Sequence, residues 1–200
     1  IFQWLYRRGV TDSGAMTDLP KALRADLAAR FSISTPAVAS ESRSADGTRK
    51  FLLRLHDQRT IEAVFIPDTP AMTFCLSTQV GCAVGCVFCM TGRFGVERQL
   101  RSAEIVAQVA LARSRRRIRR VVFMGMGEPA HNLDNVLEAI DLLGTEGDLN
   151  TKNLVFSTVG DRRVFERLPQ GMVKPALALS LHTTKAELRA ELLPHAPRIA

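Results

Sequence analysis

The apolar positions at the start of the chain predict two helices. The first is indicated by a dense group of apolar and aromatic residues, namely Phe2, Trp4, Leu5 and Tyr6. The second is predicted over about residues 18–31, where Pro20 suits the first turn of a helix. Its apolar side chains recur every four residues and are Leu23, Leu27 and Phe31. The chain therefore opens with a small helical part.

A polar stretch and two alternating segments come next. Residues 32–47 are rich in Ser, Ala and Pro and are predicted to form a linker or loop. Residues 50–55 and 61–66 predict two strands joined by a short turn at residues 56–59. We therefore assign residues 1–48 to a helical accessory domain and residues 49–71 to a short β-hairpin extension.

From residue 72 onward, strand patterns alternate with helix patterns. The predicted strands are residues 73–78, 120–124, 153–158 and 176–181. The helices between them have N-cap candidates at Ser102, Asn132 and Asp161, a stop at Gly144, and a capping box formed by Thr184 and Glu187. This alternation predicts an α/β fold with parallel strands and right-handed crossovers. About four βα units are too few for a closed eight-stranded barrel, so residues 72–200 predict a partial barrel. The chain ends at Ile199 and Ala200 without a terminating signal, and we expect a piece cut at both ends of a longer protein.

Composition narrows the class of protein. Hydrophobic residues make up 46% of the 200 residues, which suffices for a core. No apolar run reaches the ~18 residues of a membrane-spanning helix, and no signal peptide is recognisable, so the expected location is the cytoplasm. The net charge is +7, and residues 93–120 hold nine arginines against two glutamates. Such an excess favours a polyanion such as RNA, although arginines at the end of a helix also complement the helix dipole while remaining solvated.

The four cysteines lie close together in the sequence. All of them fall within residues 75–89, which indicates metal ligation rather than a framework of disulfides. Cys82, Cys86 and Cys89 have the spacing Cys-x3-Cys-x2-Cys. A structural zinc site needs four ligands, usually as two separated pairs, and that alternative is disfavoured. Three thiolates on a four-iron cubane leave one iron open, which can chelate the amino and carboxylate groups of a methionine-type ligand. Phe88 could pack against a bound aromatic ring.

Polar residues gather where the predicted parallel strands end. Residues 125–129, GMGEP, follow the second strand, and their glycines let the backbone approach a ligand while Glu128 accepts hydrogen bonds from an ammonium group. Ser157, Ser180 and His182 occupy the ends of the later strands. Taken one at a time, each of these features also suits an ordinary turn, cap or core position. Together with the cysteine loop, they predict a ligand site at one mouth of the barrel.

Several stretches resemble one enzyme family. The cysteine spacing is typical of the radical S-adenosylmethionine superfamily. Residues 75–92, CLSTQVGCAVGCVFCMTG, resemble more specifically the RlmN/Cfr family of radical RNA methyltransferases. So do residues 61–67 (IEAVFIP), 125–129, 156–160 (FSTVG) and 178–182 (ALSLH), and residues 4–9 and 16–20 resemble the accessory domain of the RlmN branch. The resemblance implies an incomplete six-stranded (βα)6 barrel of which this chain carries about four units.

The resemblance also implies roles for individual residues. It implies a [4Fe-4S] cluster held by Cys82, Cys86 and Cys89. It implies an S-adenosylmethionine site whose residues are Gly127, Glu128, Ser157, Ser180, Leu181 and His182. Glu62 matches the family's proposed proton acceptor, and Cys75 matches the cysteine that resolves a protein–RNA crosslink. By pattern alone, Glu62 also suits the solvent face of a strand and Cys75 a small buried apolar residue. The cysteine that carries the methyl group in the family has no counterpart among the four present.

The implied activity is methylation of carbon 2 of an adenine in 23S rRNA, and also in tRNA, through a methyl-cysteine intermediate. The implied partners are these RNAs and a flavodoxin-like electron donor, with the enzyme acting as a monomer away from membranes. Two alternatives stay open. One is Cfr-type methylation of carbon 8 of the ribosomal adenine, and the other is a non-catalytic RNA-binding module stabilised by a metal.

Overall fold

The computed structural model describes residues 1–67 and 72–198. The hairpin boundary predicted at residue 71 and the chain end at Ile199 and Ala200 lie outside these described residues. Every helix in the described ranges is too short or too polar to cross a membrane.

The N-terminal part is helical, as predicted, but with different packing. The first segment is a π-helical turn, Gln3–Arg7, in which the Arg8 N–H donates to the Gln3 carbonyl. Helix α1 spans Lys21–Arg30 and directly follows Pro20. The predicted apolar face of this helix is largely uncovered, because Leu23 and Phe31 are exposed, whereas Met16 is buried.

The predicted linker is partly wrong, because it contains a strand. Strand β1 spans Ala37–Arg43 and pairs antiparallel with β2, Arg49–Arg54, which pairs with β3, Thr60–Ile66. Most β1 side chains are exposed. Because the strand is held by its main-chain hydrogen bonds, it does not need apolar side chains at alternate positions. It therefore lacks the pattern by which strands are recognised in a sequence. The extension is therefore a three-stranded meander instead of a hairpin.

The chain continues with strands β4 (Thr73–Cys75), β7 (Arg120–Phe123), β8 (Leu154–Thr158) and β9 (Ala176–Leu179). Within the described residues, these strands join the first three in one seven-stranded mixed sheet of the order β1-β2-β3-β4-β7-β8-β9. Strands β4, β7, β8 and β9 are mutually parallel, which confirms the predicted α/β fold and partial barrel.

Helices lie along the chain between these strands and after β9. They are α2 (Met90–Arg93), α3 (Ser102–Arg115), α4 (Leu133–Thr145), α5 (Arg162–Arg167) and α6 (Ala186–Leu192). Phe74, Phe123 and Phe156 point from successive parallel strands into the core and are essentially inaccessible to solvent. Apolar residues of α3 and α4 belong to the same buried cluster, namely Ile105, Val109, Val136 and Ile140. One face of the sheet is thereby covered.

Several predicted helix ends differ in detail. Ser102 is the first helical residue, and the Glu104 carboxylate accepts from the Arg101 N–H in place of a serine cap. Gly144 lies inside α4, which continues to Thr145. Helix α6 begins after Lys185 without the predicted capping box. Asp161 caps α5 as predicted, its carboxylate accepting from the Arg163 N–H.

The predicted strand over residues 73–78 ends early, at Cys75. A separate two-stranded sheet follows, formed by β5 (Gln79–Gly81) and β6 (Val96–Gln99). These two strands flank the cysteine segment and fix both of its ends to the body of the fold.

Candidate active site

The second face of the sheet carries the predicted catalytic pair. Val64 on β3 lies opposite Cys75 on β4, and Cys75 lies beside Val122 on β7. Directly paired residues share a face of the sheet, and so do residues two apart on one strand. Glu62, two residues before Val64, therefore lies on the same face as Val64 and Cys75. Glu62 and Cys75 therefore lie on the face of the sheet opposite the phenylalanine core.

The same face continues to the predicted binding serines. Val122 pairs with Val155 on β8, and Ser157, two residues farther along, pairs with Ala178 on β9. Ser180 follows Ala178 by two residues, and its N–H donates to the carbonyl of Thr158. The hydroxyl oxygens of Ser157 and Ser180 are 3.3 Å apart. The structure thus brings the two serines together at the carboxyl ends of adjacent strands.

Glu62 is linked to the 125–129 turn through its backbone. Its N–H donates to the Met126 sulfur at 3.2 Å, and its carbonyl accepts from the Ser77 hydroxyl. Ser77 in turn accepts from the Met126 N–H at 2.8 Å. The Glu62 carboxylate pairs with Lys50 Nζ at 2.9 Å and remains partly exposed. The side chain is therefore accessible from the sheet face and has one cation to neutralise it.

Cys75 is a protonated thiol at neutral pH. Burial raises the pKa of Cys75 to about 11, and a backbone hydrogen bond from Met124 opposes that shift. It is also the one cysteine set apart from the loop, since it lies in a strand.

The cysteine loop begins after Gly81, the last residue of β5, and any other residue there would force the backbone to shift. Gly81 has φ +81°, and a Cβ there would lie 2.0 Å from the carbonyl oxygen of Gly95. That carbonyl accepts from the Cys82 N–H at 2.8 Å. The backbones of residues 81–82 and 95 are thus in direct contact, and this closes the base of the loop.

The three loop thiols interact with one another. Burial raises the pKa of Cys82 and of Cys86, and charge repulsion among Cys82, Cys86 and Cys89 raises them further. Glu128 adds to the repulsion at Cys82, so the carboxylate lies near this thiol. The donor set is three soft sulfur ligands on one loop, which fits an iron–sulfur cluster. No three metal-binding side chains in residues 1–67 and 72–198 converge on one point. A cubane does not require such convergence, because each thiolate binds a different iron.

The turn at residues 125–129 is held rigidly beside the loop. Gly127 has φ +98°, and a Cβ there would lie 2.6 Å from side-chain atoms of Gln79. Glu128 is 5% exposed, and burial raises the pKa of its carboxyl against several hydrogen bonds that lower it. Its two oxygens accept from the N–H groups of Ala130 and Val159, each at 3.1 Å. The Thr158 side chain also hydrogen-bonds this carboxylate, and the remaining acceptor capacity of the two oxygens is what an ammonium group could use.

The end of β9 meets the cysteine loop. His182 has φ +63°, and its ring lies 4.9 Å from the ring of Phe88, centre to centre. Leu181, just before it, is half-buried, and its N–H donates to Leu179 within a tight turn. The predicted ligand-packing ring of Phe88 therefore rests against a residue of the predicted binding segment.

Sequence reasoning missed the polar residues that support this site. Gln108 of α3 is fully buried and exchanges two hydrogen bonds with the backbone of Ser77, at 3.0 and 2.9 Å. Gln79, also fully buried, accepts from the Glu128 N–H at 2.8 Å. The signal available was the polar run at residues 77–79 directly after a buried strand, since buried polar groups need partners.

Comparisons with known proteins show the superfamily to which the chain belongs. The profile of the Radical SAM superfamily matches residues 76–197, and the chain belongs to that superfamily. The profile of the ribosomal RNA large subunit methyltransferase N-terminal domain matches residues 1–33. The chain therefore combines a radical SAM core with an N-terminal segment similar to that methyltransferase domain.

The similar proteins are longer than this chain. A probable RNA methyltransferase of Methylibium petroleiphilum is 71% identical over 80% of this chain and 45% of its own length. Another, of Azoarcus sp., is 59% identical over 98% of this chain and 57% of its own length. The crystal structure of a radical SAM methyltransferase from Sphaerobacter thermophilus is 40% identical, with a TM-score of 0.87 over 96% of this chain and 59% of that one. The chain thus spans about half the length of the curated relatives it matches.

Proposed function

We propose that this chain forms the cluster- and S-adenosylmethionine-binding part of an RNA methyltransferase that modifies carbon 2 of an adenine in 23S rRNA and in tRNA. The observation that carries the proposal is the meeting of the three-cysteine loop, the Glu128 turn and the ends of β8 and β9 at the carboxyl edge of the parallel sheet. Ligands bind at that edge in folds of this kind.

In this proposal, Cys82, Cys86 and Cys89 hold a [4Fe-4S] cluster, which together with S-adenosylmethionine supplies a carbon radical when both are bound. A radical is needed because carbon 2 of adenine is electron-poor and does not attack a methyl cation. Glu128 accepts from the ammonium group of S-adenosylmethionine. The remaining predicted positions for this ligand are Gly127, Ser157, Ser180, Leu181 and His182.

Cys75 and Glu62 face the same side of the sheet and act on the RNA. Cys75 resolves a covalent adduct between the adenine and a methyl-carrying cysteine that is not among the four cysteines of these residues. Glu62 accepts the proton that leaves carbon 2. The reductant is a small flavodoxin-like protein, and the enzyme works as a monomer in the cytoplasm.

The test joins residues 1–200 to the C-terminal half of a full-length relative and supplies 23S rRNA, tRNA, S-adenosylmethionine and a reductant. The position of the methyl group is then read by mass spectrometry of the nucleosides. Carbon-2 methyladenosine supports the proposal, carbon-8 methylation identifies the Cfr-type alternative, and RNA binding without methylation indicates the non-catalytic module. Residues 1–200 without the C-terminal half should give no methylated adenine.

Variants of the same chimera test the two assigned roles. Cys75→Ala should accumulate a covalent protein–RNA adduct, visible as a shifted band on a denaturing gel. Glu62→Gln should lower turnover by roughly 10²- to 10⁴-fold, the usual range for loss of a general base, with cluster content unchanged. Lys50→Gln removes the partner of Glu62 and serves as the matched control, since it keeps the carboxylate.

A further inference from the structure

Arg189 is buried at the edge of the candidate site and has no acidic partner there. It is the one buried residue of helix α6 and is 5% exposed. Its two terminal nitrogens donate to backbone carbonyls, to Val159 at 2.6 Å and to Pro197 at 2.8 Å. No ion pair involves it within residues 1–67 and 72–198, and its Nε is buried without a hydrogen bond. Burying such a cation is costly unless a nearby anionic group compensates for the charge.

The Val159 backbone connects Arg189 to Glu128. The Val159 carbonyl accepts from Arg189, and the Val159 N–H donates to Glu128 Oε2. The carbonyl of Val159 is therefore bound by the buried guanidinium of Arg189, and its N–H is bound by the carboxylate of Glu128 in the predicted ligand site. Movement of Arg189 is expected to move Glu128.

The segment that carries Arg189 also supports the cysteine loop. The Val87 N–H donates to Leu192 at 3.0 Å, and the His195 N–H donates to Val84 at 3.2 Å. Val84, Val159 and Leu193 form a small buried cluster. Two of the cysteines, Cys82 and Cys86, pack against this cluster. Val159 thus contacts Arg189 and also belongs to the buried cluster against which the two cysteines pack.

We propose that Arg189 is a positioning residue that fixes Glu128 and the cysteine loop relative to each other and supplies the buried positive charge that offsets an anionic thiolate-bound cluster. This inference rests on the proposed function, because it assigns a cluster and S-adenosylmethionine to the site. Loss of the charge disfavours the more negative, reduced state of the cluster, so it lowers the midpoint potential. Loss of the hydrogen bonds loosens Glu128 and weakens ligand binding.

The experiment compares wild type, Arg189→Gln, Arg189→Lys and Lys185→Gln after anaerobic reconstitution of the 200-residue chain. Lys185→Gln removes the same charge from the exposed start of the same helix and is the matched control. The measurements are the dissociation constant for S-adenosylmethionine, the midpoint potential from a redox titration followed by electron paramagnetic resonance, and circular dichroism as a check on folding.

Arg189→Gln should bind S-adenosylmethionine roughly tenfold more weakly, as expected for loss of a supporting contact, and should have a lower midpoint potential. Arg189→Lys should keep the wild-type potential but still bind the ligand more weakly, and Lys185→Gln should match wild type in both. A folded Arg189→Gln with wild-type affinity and potential would overturn the inference. If that variant does not fold, Arg189→Lys decides, and wild-type affinity there would overturn it. A wild-type chain that takes up no cluster would overturn the proposed function itself, and the inference with it.

Discussion

Arg98 Nε donates to Asp57 Oδ2 at 2.7 Å and thereby ties β6 to the turn between β2 and β3. The same guanidinium donates to both oxygens of Glu104, at 2.8 and 2.9 Å. The hydrogen bond from Arg98 holds the pKa of the Asp57 carboxyl well below its usual range. Arg98 is therefore a structural cation that joins three elements next to the cysteine loop.

Arg98→Ala is expected to lower stability, because it breaks the two-pronged pair with the mostly buried Glu104 carboxylate. The loss should be about 1 kcal/mol, or roughly 2–4 °C in melting temperature for a chain of this size. Thermal unfolding followed by circular dichroism measures it. Arg93→Ala removes an exposed arginine on α2 and is the control. Equal melting temperatures for the two variants would contradict the structural role.

RNA binding near the cluster loop should depend on Arg93 and Arg101, because both side chains are exposed, whereas Arg98 is held by Asp57 and Glu104. Reversing both to Glu should reduce the slope of log affinity against log salt by about 1 for each lost phosphate contact. Reversing Arg116 and Arg117 should matter less, since they follow α3, at the end of the barrel away from the loop. Filter binding across a salt series measures this, and a larger effect from the second pair would refute the placement.

Removal of one loop thiol should abolish the cluster. After anaerobic reconstitution, the wild-type chain should contain about four irons and four sulfides. In Cys86→Ala, this content should fall to near zero, because each thiolate holds a separate iron. Cys75→Ala is the control, since Cys75 lies in strand β4 outside the loop. Iron analysis and the visible absorption band report the result. One zinc per chain in place of iron would show that the site is of another kind.

Gly81→Ala should disrupt the base of the loop. The added Cβ would be placed 2.0 Å from the Gly95 carbonyl oxygen, so the backbone must shift. Gly95→Ala tests the same kind of strained backbone, with φ +69°, but its Cβ would meet nothing within 4 Å. It should cost only the ~1–2 kcal/mol of a left-handed residue and keep the iron. Similar iron contents in the two variants would argue against a role for the contact.

The reactivity of Cys75 should rise steeply only at high pH. With its pKa raised to about 11, against 9.0 for an ordinary thiol, it should be alkylated about a hundredfold more slowly than a free cysteine at pH 8. The rate should climb about tenfold per pH unit up to about 11, as measured by iodoacetamide labelling and peptide mass spectrometry. A folded-state pKa above the unfolded one stabilises the fold below pH 9, and this contribution is lost as the pH rises through 11. A rate that levels off near pH 9 would show that the thiol is not buried.

The elements predicted from the sequence differ most from the observed ones where a strand is stabilised by pairing with its neighbours and not by burial of its own apolar side chains. Strand β1 is nearly all exposed, and its pairing with β2 is a property of the sheet. Strand β4, which begins at Thr73, stops at Cys75, because the chain then turns into β5, which pairs with β6. Neither event leaves a periodic signal, since main-chain hydrogen bonds are indifferent to side-chain type.

The sequence by itself determined the α/β order of elements, the helices that cover one face, and the three thiols on one loop. Apolar periodicity and cysteine spacing are local properties, so they can be identified along the chain without knowledge of the fold. Only the tertiary structure decided that Glu62 and Cys75 share a sheet face, that Arg98 is occupied by Asp57 and Glu104, and that Arg189 reaches Val159. Strand register and the burial of a charge depend on residues far apart in sequence, and the folded chain brings them together.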